Sequence, residues 1–221
     1  MLHKETVSKE LIEVTKALMD MDQLNSFQLV GGTAIALQIG HRKSIDIDLF
    51  STKKTDLLRI KRSLTDSFSK ISNVVLTQNC VRAEINGVRV DIFDDWSIPF
   101  RKSQIIEEGI RLTALEDLAA FKLSTITGRR EKKDYIDLFF LFKKLGAKSI
   151  LKEFEKYEPL LSAKSLMFAL TEVVTAKENK SPMPDMHIKI EWKEVTESML
   201  QAAQTYIEIK KTEPKNRNLG L

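Results

Sequence analysis

The stretch FQLVGGTAIALQIGHRKSIDIDLFS, residues 27–51, decides how this chain is read. Residues 27–30 form a short apolar run that predicts a first buried strand. Gly31-Gly32-Thr33 then opens AIALQI, a short apolar helix that Gly40 is placed to end. From residue 44 to 50 the pattern alternates strictly, with Ile45, Ile47 and Leu49 on one strand face and Asp46 and Asp48 on the other. Glycines at a strand-to-helix turn let backbone N–H groups approach a ligand, and a helix N-terminus favours anions. Two carboxylates on one strand face repel each other unless a cation sits between them. Mg²⁺ commonly uses one or two carboxylates plus substrate phosphates. Alone, each feature has a plain explanation: tight turns want glycine, and an exposed strand face is wet. Together, with one short helix between them, they favour a polyphosphate bridged by metal to the two aspartates, with Thr33 adding a hydroxyl.

Working outward, residues 5–24 carry Val7, Leu11, Val14, Leu18 and Met21 at helical spacing. A second helix is expected over 55–71, through Leu57, Ile60, Leu64, Phe68 and Ile71. NVVLTQ and CVRAEI follow, and then Asn86-Gly87 before VRVDIF, the strongest short signal for a hairpin with a type I′ turn. On its second strand Arg89, Asp91 and Phe93 share a face, so Asp91 projects much as Asp46 and Asp48 do. Residues 94–111 read as a loop with one short strand near 104–107. Thr113 and Glu116 form a capping box for a helix to about Thr127, and another spans 134–145. Helical patterns continue over 148–157, 162–178 and 192–211, broken by Glu158-Pro159 and by the two prolines of 181–184. The expected organisation is an α/β part over 1–112, a helical part over 113–211 and a polar tail over 212–221.

The 221 residues give ample material for a buried core, and 43% hydrophobic with 30% charged residues is the balance of a folded protein rather than a disordered one. No apolar run approaches the roughly 20 residues that cross a bilayer, and the polar, amphipathic N-terminus lacks the apolar core of a secretory signal. Cys80 is the one cysteine, which excludes an internal disulfide and makes a reducing cytoplasmic setting the expectation. It is read as a small apolar strand residue. The net charge of +4 is a mild excess, but basic residues cluster at His41-Arg42-Lys43, Lys53-Lys54, Arg101-Lys102 and residues 129–133. Such clusters near acidic motifs hold phosphates or face solvent. His3, His41 and His187 show no ligand spacing, and Trp96 and Trp192 are read as packing.

A Gly-Gly turn, a spacer, Asp-x-Asp on a strand and a later strand Asp resemble the signature of the DNA polymerase β-like nucleotidyltransferase superfamily. More narrowly, GGTAIALQIGHRKSIDIDLF, EDLAAFKL and RREKKDYIDLFFL resemble the AbiEii/AbiGii toxin-type nucleotidyltransferases, in the family's order over about residues 27–145. The resemblance implies an α+β fold: a small mixed β-sheet nucleotidyltransferase core flanked by helices, followed by a C-terminal helical bundle that completes the active site. It implies Asp46, Asp48 and Asp91, the third carboxylate, as ligands of Mg²⁺ or Mn²⁺, and Gly31, Gly32 and Thr33 on the triphosphate. Asp117 and Lys122 match an Asp-Leu-x-x-x-Lys element whose lysine contacts nucleotide phosphates. Lys133, Asp134 and Asp137 match a Lys-Asp-x-x-Asp element beside the active site.

Those later residues also have plain readings: Lys122 as a surface lysine, Asp134 as a helix cap, Asp137 as a first-turn acid favoured by the helix dipole. The expected activity is transfer of NMP from an NTP to an acceptor, RNA or tRNA, by the toxin of an abortive-infection or toxin–antitoxin system with a cognate antitoxin. The competing readings are a small-molecule, antibiotic-type nucleotidyltransferase and a non-catalytic binding protein with the same fold.

Overall fold

The computed structural model describes residues 1–212. The short strand β1 (Gln28–Leu29) and the helix α2 (Gly31–Ile39) flank the glycine turn, after an opening helix α1 (Lys9–Met19). Ser8 caps α1 by accepting from the Leu11 N–H. The helix expected over 5–24 is therefore shorter, with single 3₁₀ turns at Lys4–Thr6 and Asp22–Leu24 on either side. β2 (Asp46–Phe50) alternates as predicted, with Ile47 and Leu49 fully buried while Asp46, Asp48 and Phe50 are half-buried on the opposite face.

After β2 comes α3 (Leu57–Ser67), capped by Asp56, then the antiparallel run β3 (Ile71–Leu76), β4 (Cys80–Ile85) and β5 (Val88–Phe93). Ile71, expected to close the helix, starts β3 instead. Asn86 and Gly87 have φ of 51° and 78°, the left-handed pair a type I′ turn requires. Cys80 is buried in β4. The short strand expected near 104–107 is β6 (Ile105–Glu107), and it forms a hairpin with β7 (Ile110–Leu112), turning through Glu108 and Gly109. The three residues of β7 leave too little alternation for periodicity to register.

The seven strands order as β3-β4-β5-β2-β1-β7-β6, with β2 parallel to β5 and β1 parallel to β7. β2 and β5 align Asp46 with Arg89, Asp48 with Asp91 and Phe50 with Phe93. Helices α4 (Leu115–Gly128) and α5 (Lys132–Leu145) pack on α2, whose residues Thr33 to Leu37 are buried all round. The capping box is not formed: Ala114 precedes α4 without a side-chain cap. Thr113 extends the β7 pairing, its N–H donating to Leu29 O and its hydroxyl to Gln28 Oε1.

Beyond them lie α6 (Ala147–Phe154), α7 (Ala163–Thr171), α8 (Val173–Ala176) and the long α9 (Trp192–Thr212). α7 and α8 divide the single helix expected over 162–178. The segment between α8 and α9 folds back on the first half of the chain. Lys43 N–H donates to Asp185 O, and the N–H groups of His187 and Ile188 donate to His41 O. Thr212 ends α9, so the expected polar tail lies otherwise outside the described residues. One apolar core runs from α1 through the sheet to α9. No helix among the described residues is long and apolar enough to cross a membrane.

Candidate active site

β2 and β5 present three matched rows on one sheet face, and that face forms a wall of a cavity of about 1100 Å³. Asp46, Asp48 and Asp91 all line it, with Gly31 and Gly32 at the N-terminus of α2. Gly31 has φ of 69° and lies directly against the Asp48 carboxylate, so a side chain there would be both strained and in collision. Gly32 meets Arg42 Nη2 in the same way.

Asp48 carries a carboxyl raised above its ordinary range. Burial, then the neighbouring charges of Asp91 and Asp46, push it up to about 6. Asp91 is instead paired with two arginines, Arg82 Nε at 2.5 Å and Arg89 Nη2 at 2.8 Å. Both arginines are half-exposed at the cavity wall.

Behind the cavity lies a buried ion cluster. Lys122 Nζ reaches Asp134 Oδ1 at 2.6 Å and Asp137 Oδ2 at 2.7 Å. Arg42 grips Asp137 through Nε at 2.6 Å and Nη2 at 2.8 Å. Arg129 Nε donates to Asp134 Oδ2 at 2.8 Å. Burial alone would raise both carboxyls, but Arg42 and Lys122 hold Asp137 well below its usual range, and Lys122 and Arg129 lower Asp134. Burial works against the Lys122 ammonium too, yet Asp134 and Asp137 keep it charged. Three cations against two anions leave the cluster net positive, facing the Asp46–Asp48 strand.

His41 is drawn into the same cluster. Its Nε2 lies 2.8 Å from Asp137 Oδ1, while burial pulls its pKa down and Nδ1 has no partner, the pattern of a neutral ring donating through Nε2. It is fully buried and holds Asp137 rather than reaching the cavity.

The expected site residues thus fall into two sets. Asp46, Asp48, Asp91, Gly31, Gly32, Lys122 and Lys133 line the cavity. Thr33, Asp134 and Asp137 lie beneath its wall, buried. The Thr33 hydroxyl contacts Asp46 O and Ser44 Oγ, which fixes the start of β2. Asp117 is also buried away from the cavity, accepting from the N–H groups of Arg101 and Lys102 and from Tyr157 Oη at 2.7 Å. It pins the loop that leads to β6.

Sequence reasoning passed over Arg82, Arg89, Phe50, Phe93 and Phe121, and read Trp96 as packing; all of them line the cavity. For Arg89 and Phe93 a signal existed in the alternation around Asp91. Arg42 stood out only as part of a basic cluster, and its pairing with Asp137 is made by the fold.

A family model described as "Nucleotidyl transferase AbiEii toxin, Type IV TA system" matches residues 16–213 of this chain. The chain belongs to that family. This AbiEii-family chain is a nucleotidyltransferase, and its sheet and the helices from α2 to α9 lie within the matched region. It is similar to aq_aa25, an uncharacterized protein of Aquifex aeolicus (strain VF5), at 26% identity over 212 residues, covering 91% of this chain and 98% of the relative. In fold it is similar to the crystal structure of a candidate nucleotidyltransferase from H. pylori, with TM-score 0.52 and 20% identity over 96% of both chains. JHP933 from Helicobacter pylori gives TM-score 0.51 at 20% identity, over 93% of this chain and 95% of that one.

Proposed function

We propose that this AbiEii-family enzyme transfers NMP from an NTP to an RNA acceptor in a divalent-metal-dependent reaction, as the toxin of a system with a cognate antitoxin. The observation that carries the reading is the convergence of Asp46, Asp48 and Asp91 with the Gly31–Gly32 helix N-terminus on one cavity. The charge state of Asp48 fits a cation, since a carboxyl pushed up to about 6 by burial and then by its acidic neighbours is relieved when positive charge arrives. Among the described residues no three His, Cys, Asp or Glu side chains form a complete metal cage, which suits Mg²⁺ held by Asp46 and Asp48 with substrate oxygens completing the shell. When bound, such an ion neutralises the phosphates and the departing pyrophosphate.

The chain's own groups divide the remaining work. Gly31 and Gly32 offer backbone N–H groups to the triphosphate, and Lys122 and Arg42 add fixed positive charge behind them. An acceptor hydroxyl oxygen bonds to the α-phosphorus while the α–β bridging bond breaks and pyrophosphate leaves with that electron pair. The hydroxyl proton passes to Asp91. Asp134, Asp137 and His41 act one step back, holding Lys122 and Arg42 in place.

An RNA acceptor is supported by the basic rim of the cavity, where Arg82, Arg89, Arg129, Lys43 and Lys133 surround the carboxylates. The test is transfer from labelled NTPs to total RNA, and to a small-molecule panel, with Mg²⁺ or Mn²⁺. Wild type is expected to label RNA, and Asp46→Ala to lose at least about a thousandfold in rate, the scale of lost transition-state electrostatics. Undiminished labelling by Asp46→Ala, or label confined to small molecules, overturns this reading.

A further inference from the structure

We infer that the aromatic end of the cavity, formed by Phe50, Phe93, Trp96 and Phe121, is the pocket for the base of the donor NTP, and that it reads the base by stacking and shape. The inference rests on the nucleotidyl-transfer reading of the same site and adds to it where the base lies and how it is selected.

Register carries the argument. Along β2 and β5 the cavity face has three rows: Asp46 with Arg89, Asp48 with Asp91, and Phe50 with Phe93. Successive rows lie about 6.7 Å apart, two residues of strand rise. The middle row is carboxylate. Gly31 sits against Asp48 and Gly32 against Arg42 and Ser44, so the anion-binding helix N-terminus spans the middle row and the Asp46 side, away from the Phe50–Phe93 row. A triphosphate running that way from the middle row directs its sugar and base toward the Phe50–Phe93 row.

That row continues into a cluster. Phe50 and Phe93 ring centroids are 5.1 Å apart, Phe50 and Trp96 4.3 Å, and Trp96 and Phe121 6.0 Å. Phe121 comes from α4, so sheet and helix both contribute rings. The backbone N–H of Trp96 donates to Ser51 O, which holds that residue's main chain just past the end of β2. The rings of Phe50, Phe93 and Trp96 stay partly exposed, an unusual condition for three adjacent aromatics unless a flat partner covers them.

The polar groups nearby are already committed. Ser124 Oγ donates to Glu158 Oε1 at 2.7 Å, Thr125 Oγ1 to Phe121 O at 2.7 Å, and Thr127 Oγ1 to Ser124 O at 2.7 Å. The indole Nε1 of Trp96 is closed off from solvent and has no acceptor among the described residues, which leaves its ring face as what it offers. With these three hydroxyl hydrogens spent inside the chain and four rings forming the wall, the pocket separates bases mainly by size and stacking. Discrimination among the four bases is then modest, well below the roughly 10⁴-fold that a dedicated hydrogen-bonding site achieves.

The experiment measures KM for the four NTPs, and inhibition by inorganic triphosphate, with the full chain as wild type, Trp96→Ala and Trp96→Phe. Loss of one stacking ring is expected to raise KM for every NTP by about tenfold in Trp96→Ala. Trp96→Phe is expected to stay within about threefold, since the ring persists. Inorganic triphosphate, which has no base, is expected to inhibit all three forms equally, which also shows that the variants are folded. An unchanged KM in Trp96→Ala overturns the inference. So does an equal loss of triphosphate inhibition, or selection of one base by more than about a thousandfold in wild type. If wild type uses no NTP at all, the nucleotidyl-transfer reading itself fails, an outcome distinct from a wild type that transfers normally with an indifferent Trp96.

Discussion

Asp48 is an acid placed where its own charge is unwelcome, between Asp46 and Asp91 and against the backbone of Gly31. Its carboxyl titrates near 6 in the folded chain and near 3.8 without such neighbours. Between those values the fold holds a proton that the unfolded chain has released, so stability falls as pH rises through that window and stays lower above it. Asp48→Asn removes the penalty. Without divalent cation, the variant is expected to melt at a higher temperature than wild type at pH 7.5 and at the same temperature near pH 4, while losing transfer activity. Melting curves at the two pH values check this; a variant less stable at pH 7.5 would mean the carboxylate is compensated within the chain. Asp91 shows that alternative in the same sheet, since Arg82 and Arg89 supply its counter-charge.

At the scale of elements, the α2 N-terminus depends on two glycines for different reasons. Gly31 is needed for its left-handed φ and for the room Asp48 occupies, Gly32 for the approach of Arg42. Gly31→Ala is expected to destabilise the chain by about 1–2 kcal/mol from the left-handed backbone alone. It should also cut transfer by more than that cost explains, because Asp48 must move; urea denaturation beside single-turnover rates separates the two effects. A variant with wild-type turnover would remove the Gly31–Asp48 contact from the argument.

The sequence made this element legible because strand, glycine pair, helix and alternating acids each leave a local pattern. The Asn86-Gly87 hairpin and the stripe of α1 were legible for the same reason. The short strand expected near 104–107 is β6, but its partner β7 was not legible, being three residues long and stabilised by a distant strand, β1. Thr113 matched a capping pattern but was claimed by the sheet. The carboxylates could be named from spacing, whereas the commitments of Asp117, Asp134 and Asp137 required knowing what packs against them.

At the scale of the molecule, the site is assembled from distant parts of the chain. The carboxylates come from residues 46–91, the lysine and one ring of the aromatic wall from α4, and Ser181 to Asp185 form part of the rim. The ion cluster joins Arg42 to Asp137 across 95 residues of sequence, and Lys43 is bonded to the backbone and side chain of Asp185. A chain ending at residue 146 is therefore expected to bind NTP at least tenfold more weakly than the whole protein, because α4 and α5 lose the helices that pack on them. Equilibrium binding with labelled NTP checks this, and equal affinity would show that the later helices are dispensable for the site.

The fold-back of residues 181–188 onto His41 and Lys43 has a consequence for synthesis. At roughly 5–20 residues per second, a ribosome takes on the order of ten seconds or more to travel from the acidic strand to that segment. For that interval the nascent chain carries its acids without the finished cavity around them. The site is complete only once almost the whole chain has emerged, so its assembly is timed by the last segments to be made.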